Sequence, residues 1–215
     1  MKESDLELRA CTPRPLNLNG FNSAAEIPYG CTTKHISKGM NDFLDFLGFV
    51  NLQLHSKRIQ RMESFLMPAN FSSMVGEFMA AAIPKYCAGV VKNCYHNGHP
   101  DLIPTGVYEN NSCPYGSEGI EIKGSRHLSG WQGHNPENVW LMVFVFDSNT
   151  MRDQARNIDP KPFRFVKVVG ACLTKKDWAF SGRSATSRRT ITASVTRTGY
   201  QKMEANWIYR DPSTE

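Results

Sequence analysis

The sequence predicts an α/β fold in which a central mixed β-sheet is flanked by helices. Three observations carry this: apolar residues at helical spacing between residues 38 and 85, apolar or alternating strands between 100 and 173, and 40% hydrophobic with 21% charged residues in a chain of 215. That length fits one domain with enough apolar material for a real core. The longest apolar run, Val139 to Phe146, is far short of the ~20 residues of a spanning helix, so no membrane association is expected. The N-terminus mixes acids, bases and prolines where a secretory leader is apolar, which makes a cytoplasmic setting the expectation.

The first 37 residues are rich in Pro, Asn and Gly without a sustained period and read as an irregular arm. From Lys38, the residues Met40, Phe43, Leu44, Leu47, Val50, Leu54, Ile59, Met62 and Phe65 recur at threes and fours, predicting a helical segment broken once. A second helix is expected from Asn70, with Ser72 and Ser73 as candidate N-caps, ending near Pro84. Turn-rich residues then lead to a short strand after Asp101 and to Gly119–Lys123, whose apolar and polar residues alternate as on a strand with one polar face. Residues 140–147 and 163–173 are two further strands, the first too uniformly apolar to have a wet face. Residues 181–199 are basic, hydroxyl-rich and β-branched, and read as a loop followed by a strand or hairpin.

Six scattered cysteines in a chain of this size call for no disulfide framework, and free thiols are expected. Cys87, Cys94, His96 and His99 are four candidate zinc ligands in one segment, at a looser spacing than paired zinc ligands normally show. Charge is unevenly spread. Residues 1–150 hold 12 Lys+Arg against 14 Asp+Glu, whereas residues 151–215 hold 13 against 6, so the net charges are −2 and +7. A basic C-terminal third points to a polyanionic partner, most simply nucleic acid.

Pro100-Asp101, followed after a turn-rich connection by Glu121-Ile122-Lys123, is the pattern that carries chemistry. On a strand, Glu121 and Lys123 project from one face while Ile122 turns into the core. If Asp101 begins the neighbouring strand, its carboxylate and that of Glu121 form a hard oxygen site suited to Mg²⁺.

These residues resemble the motif of the PD-(D/E)XK nuclease superfamily, matched by Pro100-Asp101, Glu121 and Lys123 over a core of roughly residues 70–170. The resemblance implies a restriction-endonuclease-like core and hydrolysis of phosphodiester bonds in double-stranded DNA. Asp101, Glu121 and the Ile122 carbonyl would hold Mg²⁺, and Lys123 would contact water and phosphate. It also implies an acid from the preceding helix, for which Glu77 is the first candidate and Glu63 the second. A small chain with a basic, hydroxyl-rich tail looks most like a type II restriction endonuclease. Such enzymes frequently match a two-fold DNA site with a homodimer.

Residues 1–215 then form a single nuclease domain, with 1–37 as arm, 38–170 as helices plus catalytic sheet, and 171–215 as a basic recognition region. Arg183, Arg188 and Arg189, interleaved with Ser and Thr, are candidates for phosphate or guanine contacts. Residues 129–135, including Gln132, His134 and Asn135, follow the motif strand and are candidates to touch DNA, as are Arg126 and His127 at the mouth of the site. The competing readings are a structure-specific repair or recombination nuclease of the same fold, and a DNA-binding protein without catalysis.

Overall fold

Val139–Asp147 (β5) is the strand around which the rest is built. Its odd-numbered residues Val139, Leu141, Val143 and Val145 enter one apolar core, and its even-numbered Met142, Phe144 and Phe146 enter another. Burial on both faces is what a uniformly apolar strand demands, and each fully buried Val, Leu or Phe stabilises the fold by roughly 1.5–3 kcal/mol. The structure, a computed structural model, describes residues 3–133, 136–181 and 192–214. It is a mixed α/β protein with a central mixed sheet flanked by helices.

The other strands of the main sheet are Val90–Lys92 (β1), Leu102–Pro104 (β2), Ile120–Ser125 (β3), Arg164–Leu173 (β6) and Trp207–Arg210 (β9), ordered β1-β2-β3-β5-β6-β9. β3 and β5 run parallel over six residue pairs, from Ile120–Trp140 to Ser125–Val145, and the remaining neighbours are antiparallel. A second sheet of Gln132–Gly133 (β4), Thr192–Val195 (β8) and Trp178–Ser181 (β7) covers one face, together with the helix Arg197–Ala205 (α5). The opposite face carries the long helix Thr33–Ser56 (α2) and the helix Pro68–Ala82 (α4), whose Ile36, Met40, Phe43, Leu47, Phe71, Val75 and Met79 are fully buried.

The expected helices and motif strands are present, with shifted ends. α2 begins at Thr33, five residues earlier than expected, because Thr32 and His35 form a reciprocal capping pair at its start. The predicted break falls at residues 57–61, before the one-turn helix Met62–Phe65 (α3). α4 starts two residues before Asn70, with Pro68 in its first turn, so Ser72 and Ser73 lie inside the helix and cap nothing.

The N-terminal arm is not wholly irregular: Glu3–Ala10 is a helix (α1). It is held by the buried Arg61, whose guanidinium donates to Glu7, to Glu63, to Asn149 Oδ1, and to the carbonyls of Ala10 and Lys161. Glu63 also accepts from Asn51 and is fully buried in this network, so it is not a candidate for the active site.

The basic C-terminal region is likewise structural over its described residues. β9 completes the main sheet, while Val195, Met203 and Trp178 fill the second core. Several of its cations are neutralised in place: Lys167 and Arg210 pair with Glu204, Lys202 pairs with Asp177, and Arg164 pairs with Asp147 and Asp211. Among the described residues, no helix is long and apolar enough to cross a membrane.

Candidate active site

The site lies where β2 and β3 part. These strands are registered at Leu102–Ile120. Beyond that pair Asp101 turns its carboxylate toward β3, and Oδ2 accepts a 2.7 Å hydrogen bond from the Ile122 N–H. The N–H and C=O of one strand residue point to the same side, so the Ile122 carbonyl shares the gap with Asp101.

Ile120 and Ile122 belong to the core beneath α2 and α4, which turns Glu121 and Lys123 to the other face of β3, as the alternation predicted. The Lys123 ammonium stands 3.3 Å from Glu121 Oε1. Gly124 sets how closely α4 approaches from behind: a Cβ there would lie 2.4 Å from the Ser72 carbonyl and 2.9 Å from the Val75 Cβ, so only glycine fits.

The sequence reading missed two members of the cluster as site residues. His99 lies with Nδ1 3.0 Å from Glu121 Oε2 and Nε2 2.9 Å from Glu137 Oε2, and its ring stacks on Tyr115. A histidine immediately before Pro100-Asp101 is the signal the sequence offers, although beside Cys87, Cys94 and His96 it reads as part of a zinc group. Glu137, just before β5, carries no local pattern at all.

Three carboxylates, one lysine and one histidine thus share a largely buried space, and burial acts on each. It raises Asp101, with the Glu121 carboxylate adding to the effect, up to about 7, against partial relief from the Ile122 N–H and Lys123. Burial also works against the charged forms of Glu121 and His99. For Glu121 it is outweighed by the hydrogen bond from His99 and by Lys123, which leave the carboxyl below its ordinary range. For His99 it is outweighed by Glu121 and then Glu137, which hold the imidazole above its ordinary value.

Glu77 stands apart from this cluster. Its exposed carboxylate accepts from Lys92 Nζ at 2.9 Å, and it reaches Asp101 only through its field. Its place on α4, next to the Gly76 that faces the Ile122 carbonyl, keeps it near the site without contact.

The zinc group of the sequence reading does not assemble. Cys87 is buried, Cys94 and His96 are exposed, and His99 is engaged with Glu121 and Glu137. The Cys94 thiol faces the Lys92 carbonyl in its own turn.

Arg126 is not at the mouth of the site. Its guanidinium donates to the carbonyls of Ser148 and Asn149 at 2.7 Å and lies over the rings of Phe71 and Phe146, which makes it a tie between α4 and the end of β5. Gln132 is exposed on β4, opposite Ser194 of β8, and His127 is exposed as well. His134, Asn135, Arg183, Arg188 and Arg189 lie outside the described residues; the three arginines fall between β7 and β8, which pair as a hairpin.

Comparisons of the chain with known protein families, with characterised proteins and with solved structures find no match.

Proposed function

We propose that the protein is a Mg²⁺-dependent endonuclease that hydrolyses phosphodiester bonds of double-stranded DNA, with a restriction-endonuclease-like core and the action of a sequence-specific type II enzyme. The observation that carries the reading is the meeting of Asp101, Glu121 and Lys123 across the gap between β2 and β3, two carboxylates and one ammonium at the end of a strand pair.

The donor set suits the ion. Asp101, Glu121 and the Ile122 carbonyl are hard oxygens, as Mg²⁺ prefers. A buried Asp101 raised toward neutrality by a neighbouring carboxylate is also a group that a cation would return to its charged form. When bound there, Mg²⁺ would supply positive charge against the phosphate oxygens and acidify the attacking water.

The chain's own residues would do the rest. Lys123 offers an ammonium that can donate to a non-bridging phosphate oxygen and orient the incoming water. His99, held between Glu121 and Glu137, fixes the Glu121 carboxylate in place. The basic residues between β7 and β8, with Gln132 on the adjoining β4, are the candidate surface for the duplex, and a homodimer would match a two-fold site. The reading extends to a cytoplasmic setting, where DNA and Mg²⁺ are both at hand.

Incubation of the purified chain with mixed plasmid and phage DNA, with and without Mg²⁺, followed by sequencing of the ends, tests the reading. Defined ends within a short recurring sequence support it. Cutting confined to junctions or mismatches would indicate a structure-specific nuclease, and binding without products would indicate a non-catalytic DNA-binding protein.

A further inference from the structure

A second donor cluster lies away from the carboxylate site. The sulfurs of Cys31 and Cys87 and a ring nitrogen of His35 all lie within 4.8 Å of one another. The three come from separate places: Cys31 immediately precedes the N-cap of α2, His35 sits in the first turn of α2, and Cys87 follows the short turn that ends α4. Both cysteines are buried free thiols, whereas His35 is half-buried.

We propose that Cys31, His35 and Cys87 form a zinc site that pins the start of α2 to the segment entering β1. Thiolate and imidazole donors select Zn²⁺ over Mg²⁺, and around a tetrahedral zinc with bonds of about 2.0–2.3 Å such donors sit roughly 3.5–3.8 Å apart, a distance reached from here by small side-chain rotations. Binding releases the two thiol protons to solvent, so that one dication meets two thiolates and a neutral imidazole and the site carries no net charge.

The Thr32 backbone N–H faces the Cys31 sulfur and, without zinc, also donates to His35 Nδ1 at 3.2 Å; an imidazole that ligates zinc has no lone pair left to accept that bond, so zinc replaces it and the N–H is left to steady the Cys31 thiolate. Cys31 also lines a cavity of about 460 Å³ with Glu26, Thr33 and Trp140, which gives the ion an entry path and lets water take the fourth position. The same segment touches the strand that carries the carboxylates: Tyr29 offers its carbonyl to Cys87 and accepts through its hydroxyl from the Gly119 N–H, one residue before β3.

The test uses the full, reduced chain carrying Asp101→Asn and Glu121→Gln, so that metal held by the carboxylates does not interfere. Zinc content after dialysis against a weak chelator, and titration with Co²⁺ as a spectroscopic probe, should each give one equivalent per chain, with a thiolate-to-cobalt charge-transfer band. Cys31→Ser and Cys87→Ser should each abolish the band, and His35→Gln should weaken binding by roughly tenfold or more. Cys94→Ser and His96→Gln should change nothing.

Absence of stoichiometric zinc, absence of the band, or its persistence in either cysteine variant overturns the site. So does a band that follows Cys94 or His96. Should the buried cysteine variants fail to fold, the chain with its cysteines intact still decides: zinc must raise its melting temperature and a chelator must reverse the rise, and no shift overturns the proposal.

Discussion

Arg61 and Asp101 are both charged side chains that the fold has taken out of water, and their surroundings could hardly differ more. The Arg61 guanidinium spreads its N–H donors over two carboxylates, an amide oxygen and two carbonyls contributed by α1, α3 and the connection from β5 to β6. The Asp101 carboxylate accepts, among the described residues, a single hydrogen bond, from the Ile122 N–H, and faces a second carboxylate. The first arrangement is closed: every donor is spent on the fold, and its purpose is to hold three segments together. The second is short of positive charge, which is what the proposed Mg²⁺ would supply. Burial of charge alone does not mark a functional site; a shortage of partners around a buried charge does.

The largest effects should come from the open cluster. If the proposed reaction holds, Glu121→Gln and Lys123→Ala should each lower Mg²⁺-dependent cleavage by about 10³-fold or more while leaving the fold intact, since each removes a group that reaction would use on phosphate or metal and not a packing element. A gel assay for product, alongside circular dichroism, reads both; near-normal cutting by either variant removes the site assignment. In the closed cluster the pattern should invert. Arg61→Met strands Glu63 without its cation and should cost about 3–5 kcal/mol of stability in urea unfolding, with cleavage per folded molecule unchanged. Unaltered stability would mean that the network is ornamental.

A titration sharpens the contrast. Asp101 is raised from 3.8 to about 7 in the fold, so it binds its proton more tightly folded than unfolded. Its contribution therefore favours folding at low pH and is lost as pH rises through about 7, which costs the metal-free fold up to about 4 kcal/mol between pH 4 and 8. Asp101→Asn should remove that slope, making the variant more stable than the parent at pH 8 and little different at pH 4. Mg²⁺ should flatten the parent's slope and leave the variant's unchanged. Parallel pH curves for the two proteins would contradict the raised value.

The smallest effect should be that of Glu77→Gln. With its carboxylate exposed and paired to Lys92, loss of its charge should alter cleavage by less than about fivefold, since an exposed pair is worth at most ~1 kcal/mol. A severe loss would mean that the helix acid swings into the site when DNA is bound.

Sequence periodicity located the parts of this molecule that depend on local rules. Alternation in Gly119–Lys123 put Glu121 and Lys123 on one face and Ile122 in the core, and helical spacing found α2 and α4. What it missed depends on partners distant in the chain. α1 is a short, polar helix whose anchor is Arg61, some fifty residues on, and no local pattern announces it. β9 is four residues long, too short for a period to show, and its place in the sheet is set by β6 and Phe21, both distant in the chain.

Arg126 follows the motif strand closely enough to resemble a phosphate contact, yet two carbonyls and two phenyl rings claim it. His99 illustrates the same limit within the site, for its role is set by Glu137, thirty-eight residues later. The ends of α2 and α4 shifted because capping belongs to Thr32 and Pro68, which lie outside the apolar stripe that spacing detects.

The parallel pairing of β3 with β5 over six residues has a consequence for how such a protein can diverge. A slip of one residue in that register would exchange Glu121 and Lys123 with Ile122, driving two charges beneath α4 and leaving an isoleucine at the site. Lengthening or shortening the chain inside β3 is therefore barred. Within the connection at 105–119, residues 105–107 are exposed and can take insertions that leave the ladder untouched, whereas Tyr115 stacks on His99 and is tied to the site. The carboxylate cluster is thus locked to one short stretch of ladder, while the exposed turn ahead of it is free to change.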